Sequence, residues 1–147
     1  MASVIMTTGW RNSAAIALNS VEEMRNAFRT IREQHLGRNV LVRLENGCGD
    51  ELMVGLGEGL GVATLTPKSR GAVFNALGDA EFVRRKARVG FEWGNHWFEM
   101  GPENLLPAEV AERIAERWFV SGTRDDSVTW ETCEARDRRG SMASHRP

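Results

Sequence analysis

The chain has 147 residues, 41% of them hydrophobic and 27% charged, with a formal net charge of −1, which suits one domain with a proper core. The balance is uneven, because residues 133–147 hold Arg136, Arg138, Arg139 and Arg146 against Glu134 and Asp137, a net +2 that leaves −3 on residues 1–132. A mildly acidic body argues against a dedicated nucleic-acid binder, which presents a broad basic stripe, and fits a partner that is itself basic. The start lacks a basic n-region and a sustained apolar run, and no segment approaches the ~20 apolar residues of a membrane helix. Cys48 and Cys133 stand far apart in no ligand-like spacing. The expectation is a soluble, cytoplasmic protein with two free thiols, a single disulfide being the alternative.

In chain order the elements predict an α+β fold: a single domain over residues 1–132, mainly an antiparallel sheet of hairpins packed against two helices. A first strand is expected over residues 3–8. Ser20-Val21-Glu22-Glu23 reads as a capping box, in which the serine oxygen accepts from a first-turn N–H while Glu23 reaches back. Val21, Met24, Phe28 and Ile31 then recur at helical spacing, so a helix is expected over 20–35, with Gly37 just beyond it. Val40, Val42 and Leu44 alternate with Leu41 and Arg43; a Gly-rich turn over 46–50 returns the chain through Leu52, Val54 and Leu56. A turn at Gly57-Glu58-Gly59 leads into a strand over 60–65. Residues 67–79 give the weakest pattern, with a short strand at Val73 and Phe74. After a tryptophan hairpin, Pro107 opens a second helix that buries Val110, Ala111, Ile114, Ala115 and Trp118 and stops at Gly122. Val128 and Trp130 alternate with Thr129 and Glu131 in a last strand. Residues 133–147 read as a flexible Arg-rich tail.

The hairpin can be resolved face by face. The runs ARVGFEW and HWFEMG are separated by Gly94-Asn95, a glycine-led pair suited to a two-residue turn. Closing the turn there sets Trp93 opposite His96, Glu92 opposite Trp97, Phe91 opposite Phe98, Gly90 opposite Glu99 and Val89 opposite Met100. Because side chains alternate, Val89, Phe91, Trp93, Phe98 and Met100 form a core face, with His96 on that side too. Arg88, Gly90, Glu92, Trp97 and Glu99 form the other face. There Trp97 either lies under a helix or the tail as further core, or is the aromatic centre of an interface.

Catalytic chemistry is hard to assemble. The run GLGEGLG fits no G-x-G-x-x-G register, because Leu60 and Val62 take the third-glycine positions, and no Gly-Lys-Ser/Thr follows. Its glycines suit a tight turn and close strand packing. His35, His96 and His145 form no metal triad with either cysteine, and there is no nucleophile elbow. His96 would need Glu92 or Glu99 as an acid–base partner, and the register puts them on opposite faces. No catalytic residue, metal or cofactor is therefore assigned. Arg84, Arg85, Lys86 and Arg88 could contact nucleic acid, giving the alternative of a nucleic-acid-binding or adaptor protein, but interleaved aromatics are missing. A charged edge strand guarded against aggregation explains them equally well.

The order of motifs resembles a known family. S-x-x-E-M, L-M-V-G-L-G and G-V-A-T-L in the first half, then F-E-W-G-N-H-W-F-E-M, L-L-P-A-E-V-A-E-R-I, W-F-V-S-G-T and S-V-T-W-E, are similar to the first-numbered immunity family of bacterial polymorphic toxin systems. The likeness covers roughly residues 19–131. Genes of that family often sit beside nucleic-acid deaminase toxins, so it implies a non-enzymatic antitoxin that binds a cognate toxin, here a DNA cytosine deaminase, and occludes its active site or substrate groove. Glu99 falls about where members often carry a glutamate after the hairpin. Where the family commonly has proline before its final V-x-W strand, this chain has Arg124-Asp125-Asp126. A toxin that handles nucleic acid presents a basic cleft, which an acidic rim can mimic. The expected toxin-binding residues are Glu92, Trp97 and Glu99, with Glu58, Glu103, Asp125 and Asp126 as rim.

Overall fold

Among the described residues the chain forms ten strands, and two long helices cover one side of the sheet they make. The computed structural model describes residues 4–9, 14–69, 71–84 and 86–133; the proposed tail lies, from residue 134, outside them. The strands are β1 (Val4–Thr7), β2 (Ile16–Leu18), β3 (Val40–Glu45), β4 (Glu51–Leu56), β5 (Leu60–Thr66), β6 (Val73–Leu77), β7 (Val89–Trp93), β8 (His96–Met100), β9 (Leu106–Pro107) and β10 (Thr129–Cys133). The helices are α1 (Val21–Gln34), the four-residue α2 (Ala80–Val83) and α3 (Ala108–Ser121), with a 3-10 turn at Pro102–Asn104. The main path runs β10-β6-β5-β4-β3-β1-β2, while β9 joins β5 and the β7–β8 hairpin joins β3. Strands β1 and β2 pair antiparallel, and the short β2 is one element the sequence pattern did not announce. Among the described residues no helix is long and apolar enough to cross a membrane. Cys48 and Cys133 are both free thiols.

The odd–even alternation of β3 to β5 divides the core in two. Val40, Val42, Leu44, Leu52, Val54, Leu56, Ala63 and Leu65 pack against Met24, Phe28 and Ile31 of α1 and Ala111, Ile114, Ala115 and Trp118 of α3. Leu41 and Val62, on the other face, meet Phe91, Trp93 and Leu105. Two glycines of the GLGEGLG run permit this. A Cβ on Gly55 would collide with the Phe91 ring, and one on Gly61 would press on Ala111 of α3. Gly59 takes φ 74° in the β4–β5 turn. Those glycines serve packing and turning.

Helix ends follow local chemistry. Ser20 Oγ accepts from the Glu23 N–H at 3.1 Å, and Glu23 Oε1 accepts from the Asn19 N–H at 2.8 Å, one residue earlier than a capping box has it. Pro107 stands just before α3 and not in its first turn, because it also pairs with Leu60 as part of β9. Arg25 forks onto Glu116 at 2.7 and 2.9 Å, and Arg32 pairs with Glu112, so the charged flanks of α1 and α3 are matched. At the end of α3, Gly122 has φ 73° and its N–H donates to the Trp118 carbonyl at 2.7 Å. A Cβ there would meet nothing within 4 Å. Gly122→Ala should therefore cost about 1 kcal/mol through backbone strain alone, read as a lower urea midpoint with an unchanged m-value.

Candidate functional site

The hairpin forms in the expected register, Trp93 against His96 through Val89 against Met100. Its faces, however, are not filled as expected. β7 buries Phe91 and Trp93, whereas every residue of β8 but Met100 is exposed. Phe98 is 36% exposed instead of core, and His96 is exposed rather than turned into the core. The reason is position. β7 bridges the edge of β3 in parallel at Val40 and Glu92 and turns Phe91 and Trp93 onto Leu41 and Val62 of the second core, while among the described residues β8 pairs only with β7. Among the described strands β8 is therefore an edge strand, one layer further out than β7.

On the other face Trp97 is 60% exposed. A Cβ on Gly90 would run into its indole ring, so the ring lies flat across the bare glycine, diagonally across the hairpin. Glu92, opposite Trp97, is clamped by Arg38, whose Nε and Nη2 reach its two oxygens at 2.8 and 2.5 Å. That fork holds the Glu92 carboxyl below its ordinary value despite opposing desolvation, and the His35 charge lowers it further. Glu92 is thus an anion at neutral pH whose charge is already partly answered. Glu99 stays exposed on the same face.

Arg38 also connects the hairpin to a cleft of about 400 Å³ between the end of α1, the β4–β5 turn and the start of α3. Glu58 lines it with Arg32, His35, Glu109 and Glu112, and is exposed. Glu58 and Arg38 thus line the same cleft, and Arg38 also reaches Glu92 on the Trp97 face. Glu103 is exposed in the 3-10 turn that follows β8. These five residues belong to the hairpin and its surroundings.

Asp125 and Asp126 do not join them. Both sit in the α3–β10 loop, where Asp126 lines a separate hollow with Asp50, Phe74, Gly122 and Arg124. Asp125, expected on a solvated rim, is only 4% exposed. Its carboxylate accepts from Arg113 Nε at 2.9 Å and from the Ser127 N–H and hydroxyl at 2.9 and 2.6 Å. Its carbonyl accepts from Trp130 Nε1 at 3.0 Å. The loop is folded around this side chain, so its charge is spent internally.

The Arg84 cluster is not an edge strand either, since β7 begins only at Val89. Arg84 pairs with Glu81 at 2.6 Å, and Lys86 stands over the Phe82 ring at 4.4 Å. Arg85 lies outside the described residues. Among the described residues no group of three or more His, Cys, Asp or Glu is placed to hold a metal ion.

The family model described as "Immunity protein Imm1" matches residues 12–132. The chain belongs to the Imm1 immunity family. No curated protein matches it, and no solved structure does. An Imm1 protein neutralises a toxin, so the partner of this chain is a cognate toxin protein. The match takes in the hairpin, the cleft and the α3–β10 loop alike. Two features of this Imm1 chain escaped sequence reasoning. Arg38 is 54 residues from Glu92, and no local pattern links them. The helix-flanked cleft likewise arises only when α1, the β4–β5 turn and α3 meet.

Proposed function

We propose that this chain acts in the cytoplasm as a non-enzymatic antitoxin for a nucleic-acid deaminase toxin, one acting on DNA cytosine, and covers its active site or substrate groove. Family membership supplies the toxin-neutralising role. The observation that carries the choice of surface is Trp97, a large ring left mostly in solvent over Gly90, with Glu92 and Glu99 on its face. An exposed tryptophan among acids is the composition of an interface centre and its rim. A toxin that grips a phosphate backbone presents positive charge, which Glu99, Glu58 and Glu103 would meet during encounter. Asp126 belongs to a second, separate patch, and Asp125 to the scaffold.

The test is co-expression with the toxin domain encoded beside this gene. Rescue of growth, a stoichiometric complex and loss of cytosine deamination on single- or double-stranded DNA are expected. A toxin that kills despite co-expression would remove the antitoxin reading, whereas rescue from a toxin with no deaminase activity would remove only its deaminase part.

A further inference from the structure

We infer that the outer edge of β8 takes up an extended strand from the toxin, so that the bound toxin continues the sheet of this protein. This rests on the antitoxin reading above and specifies its binding mode. The main-chain directions carry it. On β7, the Glu92 N–H donates to the Asn39 carbonyl at 2.8 Å, and the Gly90 carbonyl accepts from Asn39 Nδ2 at 3.2 Å. Both residues therefore turn their polar backbone away from β8. In an antiparallel pair, residues opposite each other either exchange both bonds or turn both sets of groups outward. Trp97 faces Glu92 and Glu99 faces Gly90, so the N–H and C=O of Trp97 and Glu99 point out from the free edge. Among the described residues no strand pairs there.

The edge is also lightly guarded. Natural edges are kept apart by charged side chains, lysine above all, by prolines, bulges or extreme shortness, and β2, three residues long, shows the last of these. β8 carries one acid, Glu99, and no proline, lysine or arginine. It shows Trp97 on one face and Phe98 on the other, 60% and 36% exposed. An added strand would fill the main-chain groups and shelter both rings at once. Affinity then comes from the ladder and selectivity from alternate side chains. Apolar or β-branched residues are called for beside Trp97 and Phe98, and a basic one beside Glu99.

The toxin is favoured over a second copy of this chain by charge. Two β8 strands could pair with Trp97 against Glu99, but that would bring together two bodies that each carry −3 over residues 1–132. A basic toxin surface is instead attracted, and Glu99 on the strand with Glu103 in the turn that follows it would meet it.

Proline separates the ladder from the charge. At position 99 it removes an outward N–H that β7 does not use, a placement edge strands tolerate. Glu99→Pro and Glu99→Gln lose the same charge, but only the first loses the donor. Against an inactivated toxin domain from the neighbouring gene, Glu99→Pro should bind at least about tenfold more weakly than Glu99→Gln, with unaltered circular dichroism. Equal affinity of the two variants would overturn strand addition. If Glu99→Pro fails to fold, amide exchange on the wild-type protein decides instead. The Trp97 and Glu99 amides should exchange fast when free and slowly in the complex, and fast exchange in a saturated complex would refute the ladder. A wild-type dimer abolished by Glu99→Pro, with toxin affinity kept, would assign the edge to a second copy and also overturn the proposal. Failure of the wild-type protein to bind the toxin at all would instead strike the antitoxin reading.

Discussion

Trp97→Ala should weaken toxin binding by more than ~2 kcal/mol, about thirtyfold in Kd, while the free protein keeps its fold. The two halves of that result have separate causes. In the free protein the ring is 60% exposed, and what it covers is chiefly the Gly90 backbone. Laying an aromatic ring over a strand glycine shields that backbone and supplies cross-strand packing, so its removal should cost the fold only about 1 kcal/mol. In the complex the same ring is expected to be desolvated at the centre of the contact, where truncation is most costly. Titration calorimetry of the inactivated toxin domain, beside urea unfolding of the free variant, reads both halves. An unchanged Kd would take the hairpin face out of the interface. A collapse of stability would show that the ring, exposed as it is, holds the hairpin together.

The hairpin was legible because its information is local. A glycine-led pair between two apolar runs closes one register, and alternation then assigns each side chain a face. Alternation says nothing about what lies beneath a face. Alternation alone therefore puts Phe98 and His96 with Phe91 and Trp93, and only contacts between residues distant in sequence, the β3–β7 bridge and the packing of Phe91 and Trp93 on Leu41 and Val62, show that β7 is covered and β8 lies beyond it. The same limit hid the Arg38–Glu92 fork. It also hid the burial of Asp125, whose principal cation lies twelve residues back on α3. The α1 and α3 helices were readable because their apolar stripes repeat over fourteen residues each. The strand β2, with three residues, leaves no room for a period to show. The glycines of GLGEGLG could be assigned to packing from sequence, but that Gly55 makes room for Phe91 needed the hairpin in place.

Asp125→Asn should lower stability by about 2 kcal/mol at neutral pH, and the deficit should fade on acidification. Burial by itself would raise this carboxyl, yet the Ser127 hydroxyl, Arg113, and the Ser127 N–H outweigh it and bring it from 3.8 down to about 2. A group whose folded value is depressed stabilises the fold above its unfolded value and loses that contribution as pH falls through the folded one. The difference between wild type and variant should thus be full above about pH 5, shrink as pH falls through the folded value of about 2, and be gone at about pH 1. Glu92 and Glu116 are also held low by Arg38 and Arg25, so both proteins lose stability in acid. They do so equally, and the difference isolates Asp125. A gap constant with pH would mean that the side chain acts through shape and hydrogen bonding alone. The site also accounts for the departure at residues 124–126, where the family resemblance leads to an expectation of proline. Proline stiffens a loop by fixing φ and narrowing the unfolded ensemble. Here the Asp125 carboxylate binds Arg113 of α3 and Ser127, and its carbonyl holds the Trp130 indole of β10, so hydrogen bonds restrain the same turn. An acidic residue that reads as a binding charge in the sequence is one that the fold has already consumed, which leaves Glu58, Glu92, Glu99 and Glu103 as the acids available around Trp97.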